Sequence, residues 1–227
     1  SHKGYTCVKM DSIKNQLKCT LRDREAIAFY LPQFHEHSKN NEVWGDGFTD
    51  WTTTLGATPL FQGHSQPMEL SSFGKYDLKS TPEIIERQYN KATEMGITGF
   101  AFYHYRFSKS ETALDYPISY LRRSTMQVRY MISWVNVNWT KSWIGDDTSI
   151  LHKQTYDFDD IPRFAEELAY YFEDSRYITY DGRPLLYVHK PRDAPGGYLQ
   201  ELISEISKNS DKPFVIAPQV HVDRASL

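Results

Sequence analysis

Short apolar runs alternate with amphipathic stretches along the chain, and that alternation predicts its elements. Ala26-Ile-Ala-Phe-Tyr-Leu31 is a continuous apolar run halted by Pro32, the pattern of a strand buried on both faces. Similar runs recur at 97–103, 128–134, 184–188 and 214–217. Between them the period changes to that of a helix. Ser80-Thr-Pro-Glu83 reads as a helix start, with a capping hydroxyl, a proline and a glutamate in the first turn. Ile84, Ile85, Tyr89 and Ala92 then fall on one face, and Gly96 marks the exit. Further helices are predicted near 111–124, over 161–172 and over 197–208. Buried strands separated by helices predict a parallel sheet with helices outside, an α/β fold, because parallel neighbours need crossovers and covered faces.

The fifty residues after the first strand differ. They are rich in Gly, Pro, Asn, Ser and Trp, show no sustained period, and far exceed the ~12–15 residues of an ordinary structureless loop. A functional loop, or one holding short elements, is expected there. Two architectures fit the alternation. A doubly wound sheet would usually carry a glycine-rich first turn, but Pro32-Gln-Phe-His35 stands where GxGxxG would. A (β/α)8 TIM barrel places functional groups after every strand and takes ~250 residues. This reading gives the chain about the first five βα units of a barrel. Residues 1–25 form a polar lead, and 26–227 form a barrel domain incomplete at its C-terminal side.

Charge narrows the partners. With 26 Lys+Arg against 29 Asp+Glu, a net charge of −3 and no basic block, nothing matches a nucleic-acid backbone. No apolar run approaches the ~18 residues of a membrane span. The opening SHKGYTCVKM has no initial Met and no signal-peptide core, so compartment and oligomeric state are not legible. Cys7 and Cys19 lack metal-ligand spacing, and neither a metal nor a cofactor is expected. The two either close a small loop in an oxidising compartment or remain thiols in a cytosol, with the disulfide preferred.

Aromatic residues reach 15%, and they gather where a parallel sheet presents its ligands, beyond the strands' carboxyl ends. Strand one leads to Tyr30, Gln33 and His35, then to Trp44-Gly-Asp-Gly-Phe-Thr-Asp50-Trp51; strand two ends in Tyr103-His-Tyr105-Arg106. Strand three leads to Asn136, Asn138, Trp139 and Trp143, strand four to His189, and strand five to Gln219 and His221. Singly, each is more often structural: Trp44 and Trp51 as loop packing, a lone histidine as a satisfied core group, Asn138 as a glycosylation sequon. Jointly they suit a neutral polyhydroxylated ligand, an oligosaccharide or sugar nucleotide, with rings for stacking and amides for hydroxyls. Glycosidic chemistry also needs carboxylates, and the candidates are Asp46, Asp50, Glu69, Asp77, Asp146 and Asp147. Asp50 is the first choice, in a stretch too polar to be core, and His104 is a candidate proton carrier.

A series of ordered segments resembles the WbsX family. They are Tyr30-Leu-Pro-Gln-Phe-His35, Trp44-Gly-Asp-Gly-Phe-Thr-Asp-Trp51, Phe61-Gln-Gly-His-Ser-Gln-Pro67 and Tyr76-Asp-Leu78, then Gly96-Ile-Thr-Gly-Phe-Ala-Phe-Tyr-His-Tyr105 and Trp134-Val-Asn-Val-Asn-Trp-Thr140. Phe172-Glu-Asp-Ser-Arg-Tyr177 and Asp181-Gly-Arg-Pro184 complete the series. The resemblance implies a TIM barrel similar to glycoside hydrolase families 99 and 71. It also implies glycosyl transfer or glycoside hydrolysis on a polysaccharide, as in lipopolysaccharide biosynthesis. There are departures: Val137 and Ile144 stand where the family has acids, Lys141 and Ser142 replace an arginine pair, and Asp50 is one methylene shorter than the family's Glu. Those losses keep open a non-catalytic carbohydrate-binding or scaffold domain.

Overall fold

The computed structural model describes residues 25–65, 73–141 and 145–218. Cys7, Cys19, Glu69, Trp143, Ile144, Gln219 and His221 lie outside the described residues, as does nearly all of the proposed lead. At the centre are five parallel strands, β1 (Ile27–Tyr30), β2 (Gly99–Ser108), β3 (Tyr130–Trp134), β4 (Arg183–Val188) and β5 (Phe214–Ile216). They lie side by side in the order in which the chain makes them. A doubly wound sheet reverses strand order at a switch point; among these five there is no reversal. The protein is therefore α/β with a mostly parallel sheet.

Strand parity sorts the side chains onto two faces. Tyr30, Phe102, Ile132, Leu186 and Val215 sit in line across the sheet and face the helices. Phe100, Phe102, Tyr130, Ile132, Trp134, Leu186 and Val188 on that face are buried, packed by α3 (Ile84–Glu94), α4 (Tyr116–Arg123), α5 (Ile161–Phe172) and α6 (Tyr198–Asn209). Ile161, Phe164, Ala165, Leu168 and Phe172 of α5 form the stripe that meets the sheet. On the opposite face Phe29, Tyr103, Tyr187 and His189 pack edge to face, and Phe29 is half exposed. Gly99 begins β2 because Ile178 and the Arg129 carbonyl crowd the place a Cβ would take.

One expectation needs correction, and two stretches hold short elements. The segment 111–124 is not one helix: Glu111–Ala113 is a strand antiparallel to β2, Leu114 turns the chain at φ 56°, and α4 begins at Tyr116. The aperiodic first loop holds α1 (Ser38–Trp44) and α2 (Asp50–Gly56), both seven residues and too short to show a hydrophobic period. After β3, Trp139–Lys141 and Asp146–His152 pair antiparallel as a hairpin that the sequence pattern did not mark.

Candidate functional site

Four segments meet above the carboxyl ends of β1, β2 and β3. Gln33 follows β1, Asn40 and Trp44 come from α1, Tyr105 from β2, and Val135, Val137 and Asn138 follow β3. Trp139, Thr140 and Leu151 of the hairpin complete a cavity of about 270 Å³. Thus Gln33, Trp44, Tyr105, Asn138 and Trp139, expected from sequence at three separate strand ends, line one space. Trp139 is held there by Tyr105, Phe107, His37 and His152, with ring centroids 4.9, 5.5, 6.2 and 5.0 Å away. All four contacts are edge to face, with interplanar angles of 74, 80, 74 and 85°, a favourable aromatic geometry, and such a clamp fixes the indole as a wall. Asn138 accepts a hydrogen bond from the Gln154 amide at 2.8 Å, tying the β3 loop to the end of the hairpin.

Asp50 sits just behind the first loop. A capping box formed by Thr49 and Thr52 starts α2, and the Asp50 amide donates to the Gln33 carbonyl at 3.1 Å. Its carboxyl is buried, Oδ1 has no hydrogen-bond partner, and desolvation pushes its pKa up to about 6. Tyr105, which shares a hydrogen bond with Gln33, feels its charge. Of the other described candidates, Asp77 caps the amides of Lys79 and Ser80, Asp146 caps those of Thr148 and Ser149 in the hairpin, and Asp46 is exposed; none of the three lines the cavity.

Several expected ligand groups are placed elsewhere. His104 and Tyr30 are corrected by strand parity, since both point into the helix layer. His104 packs beside Tyr171, fully enclosed, with its pKa driven down to about 4 by desolvation. The Tyr30 hydroxyl donates to Gln88 of α3 at 2.6 Å. Trp51 is also corrected, its indole N–H donating to the Tyr76 carbonyl at 2.7 Å while its ring packs on Phe34 and Tyr76. Asn136 is buried beneath the rim. Its amide nitrogen donates to the Lys190 carbonyl at 2.7 Å and to the Tyr156 hydroxyl at 2.9 Å, and its oxygen accepts from the Lys190 amide at 2.8 Å. It therefore laces the end of β3 to the end of β4 and has no free donor for a ligand. His189 hydrogen-bonds Ser133 at 2.8 Å, and Tyr103 lies beside it on the open face of the sheet. His35 is buried with Nδ1 unpartnered and its pKa lowered by desolvation.

The sequence reading missed His37, Glu111 and His152. Glu111 meets His152 Nδ1 at 2.6 Å, which leaves Nε2 buried without a partner, and His37 Nδ1 is likewise unpartnered with its ring 5.7 Å from that of His152. Ile150-Leu-His152 shows no apolar–polar alternation, so no local signal marked the strand that carries His152. Among the described residues no group of three or more His, Cys, Asp or Glu is arranged to hold a metal, and no helix is long and apolar enough to cross a membrane.

The sequence model of a family described as glycosyltransferase WbsX matches residues 26–220. The uncharacterised protein WxcX of Xanthomonas campestris pv. campestris strain B100 is 34% identical over 193 residues, covering 85% of this chain and 27% of that protein. WxcX of strain ATCC 33913 matches equally, so the chain spans 27% of the length of these curated relatives. A solved GH99 endo-alpha-mannosidase from Bacteroides thetaiotaomicron aligns with a TM-score of 0.47 at 15% identity, covering 87% of this chain and 56% of that one. The same enzyme with BIS-TRIS-propane aligns at 0.43 and 14%, covering 86% and 52%.

Proposed function

The chain belongs to the WbsX glycosyltransferase family, and from that premise we propose that it is a carbohydrate-active domain acting in glycosyl transfer or glycoside hydrolysis on a glycan. The observation that carries the reading is the convergence of Gln33, Trp44, Tyr105, Asn138 and Trp139 on one cavity at the strands' carboxyl ends. A pyranose there stacks its C–H face on Trp139 or Trp44, and Gln33 and Asn138 serve its hydroxyls. Asp50 is the proton carrier, because a carboxyl pushed up to about 6 can both give and take a proton near neutrality. Residues 26 onward are read as a barrel domain of which the five strands in sequence order are an arc; that order supports a (β/α)8 closure.

A second reading, a carbohydrate binder without turnover, is favoured by Val137. It lines the cavity where the family resemblance expects an acid, and no carboxylate is among the residues that line that cavity. Titration calorimetry with neutral oligosaccharides and sugar nucleotides, followed by product analysis, separates the two. Trp139→Ala is expected to lower sugar affinity roughly tenfold, the equivalent of ~1.4 kcal/mol. Binding with no product over long incubation leaves the binder, and no binding of any sugar overturns both.

A further inference from the structure

The 270 Å³ cavity opens a row along the rim. Val137, Asn138 and Thr140, which wall it on one side, also wall a larger cleft of about 600 Å³ that contains Gln154, Tyr156, Lys190 and Asp193. Lys190 and Asp193 in turn line a third hollow of about 200 Å³ that reaches His189 and Pro218. Each space shares residues with the next, and together they follow the rim in strand order from Gln33 after β1 to Pro218 after β5. Four strand spacings make that track at least ~19 Å long.

Its chemistry changes only at the far end, where Arg192 joins Lys190 and Asp193 in the third hollow. The middle cleft is walled by polar side chains together with Val137, and Lys190 and Asp193 face each other at 4.0 Å with both side chains more than half exposed, so it carries no net charge. A polyanion finds no matched row of cations in the middle cleft. An uncharged chain of repeating hydroxyl-bearing rings finds hydrogen-bond groups at each step: Asn138, Thr140, Tyr156, Lys190 and Asp193. Gln154 Oε1, buried in the wall of the middle cleft, has no partner within the protein. An acceptor without a donor costs free energy, and a ligand hydroxyl or its bridging water would supply one. The floor is rigid, because Asn136 fastens the Lys190 backbone from below.

We propose that the middle cleft is a second binding site, for further units of a linear neutral glycan whose first unit sits against Trp139, so that the domain binds internal stretches of a chain rather than a single sugar. This rests on the carbohydrate reading above. The test uses linear α-linked gluco-, manno- and rhamno-oligosaccharides of one to five units, titrated into the protein and into Lys190→Ala and Asp193→Ala variants. These two exposed side chains lie outside the first cavity. In the unaltered protein affinity should rise at least about tenfold between one unit and three. The variants should return the longer chains to the affinity of the shortest while leaving the single sugar unchanged. Equal affinity for all lengths, or variants that keep the length dependence, overturns the second site alone. If no series binds at any length, the carbohydrate reading fails and the second site with it. Unchanged thermal midpoints in the two variants show that the fold is intact.

Discussion

On the helix side of the sheet Asp160, 6% exposed, lies 2.7 Å from the Arg106 guanidinium, which also holds Glu167 at 2.6 Å and rests over the Phe164 ring. At the strand ends Asp50, 7% exposed, has a carboxylate oxygen with no donor at all. The same contrast recurs. Asp174, between β3 and α5, accepts from Arg176 and from the Tyr130 hydroxyl, and Arg176 also caps carbonyls at the end of α4, whereas His35, His37 and His152 above the rim each keep a buried nitrogen unpaired. Paired charges below the sheet define one packing of helices on strands. Unpaired groups above it weaken the fold locally, and a ligand bound there would supply the missing partners. His104 is the exception, an unpaired histidine on the helix side that stays neutral.

The sharpest way to break the contrast is to remove the paired cation. Arg106→Met should leave Asp160 buried and uncompensated, lowering unfolding free energy by ~3–5 kcal/mol in denaturant melts. A double variant that also carries Asp160→Asn should recover part of that loss. Full stability in the single variant would mean that the pair is dispensable.

Asp50→Asn should do the reverse. With its folded pKa raised to about 6 from an ordinary 3.8, Asp50 contributes stability at low pH that is lost as pH rises through that window. At pH 7.5 the amide should therefore be more stable by up to ~3 kcal/mol. Turnover, if the domain has it, should fall at the same time. A stability gain with no loss of activity removes Asp50 from the chemistry.

His104→Phe should change least. Near neutrality the swap keeps volume and alters stability by less than ~1.5 kcal/mol, with sugar affinity unchanged. Because the folded pKa is depressed to about 4, His104 costs stability as pH falls below its ordinary 6.5. The variant should thus resist acid better. The two slopes oppose each other between pH 4 and 6, so the unaltered protein should have a flatter profile there than either variant, which circular dichroism against pH would read.

Continuous apolar runs made the parallel strands legible, since a strand covered on both faces needs no alternation. The helix Ile161–Phe172 was legible for the same kind of reason, an unbroken apolar stripe. The direction of side chains at strand ends was not. Tyr103, His104 and Tyr105 read alike as a string, yet one residue of parity sends His104 into the helix layer and Tyr105 into the cavity. Asn136 and Asn138 also part company, but not by parity: both follow the end of β3, and Asn136 is taken up by the Lys190 backbone while Asn138 lines the first cavity. The Glu111–His152 contact joins residues 41 apart and depends on a hairpin whose strands are short and irregular in register, so nothing local announced it.

The order of the strands also bears on how the protein assembles. Neighbours in the sheet are neighbours in the chain, so each new strand meets an edge already built. The pairing of β1 with β2 spans the longest separation of the four, with the Ala26 amide bonded to Thr98 across 72 residues. Closing that loop is the slowest contact to arrange by chain entropy, though its cost grows only logarithmically with length. Folding should therefore nucleate at β2 and β3 with α4 and α5, and β1 should dock onto a finished edge. Pulse-labelled hydrogen exchange should protect Phe102 and Ile132 amides before that of Tyr30; simultaneous protection would refute the order. The segment bearing Gln33, Trp44 and Asp50 would then be the last to arrive and the first to open.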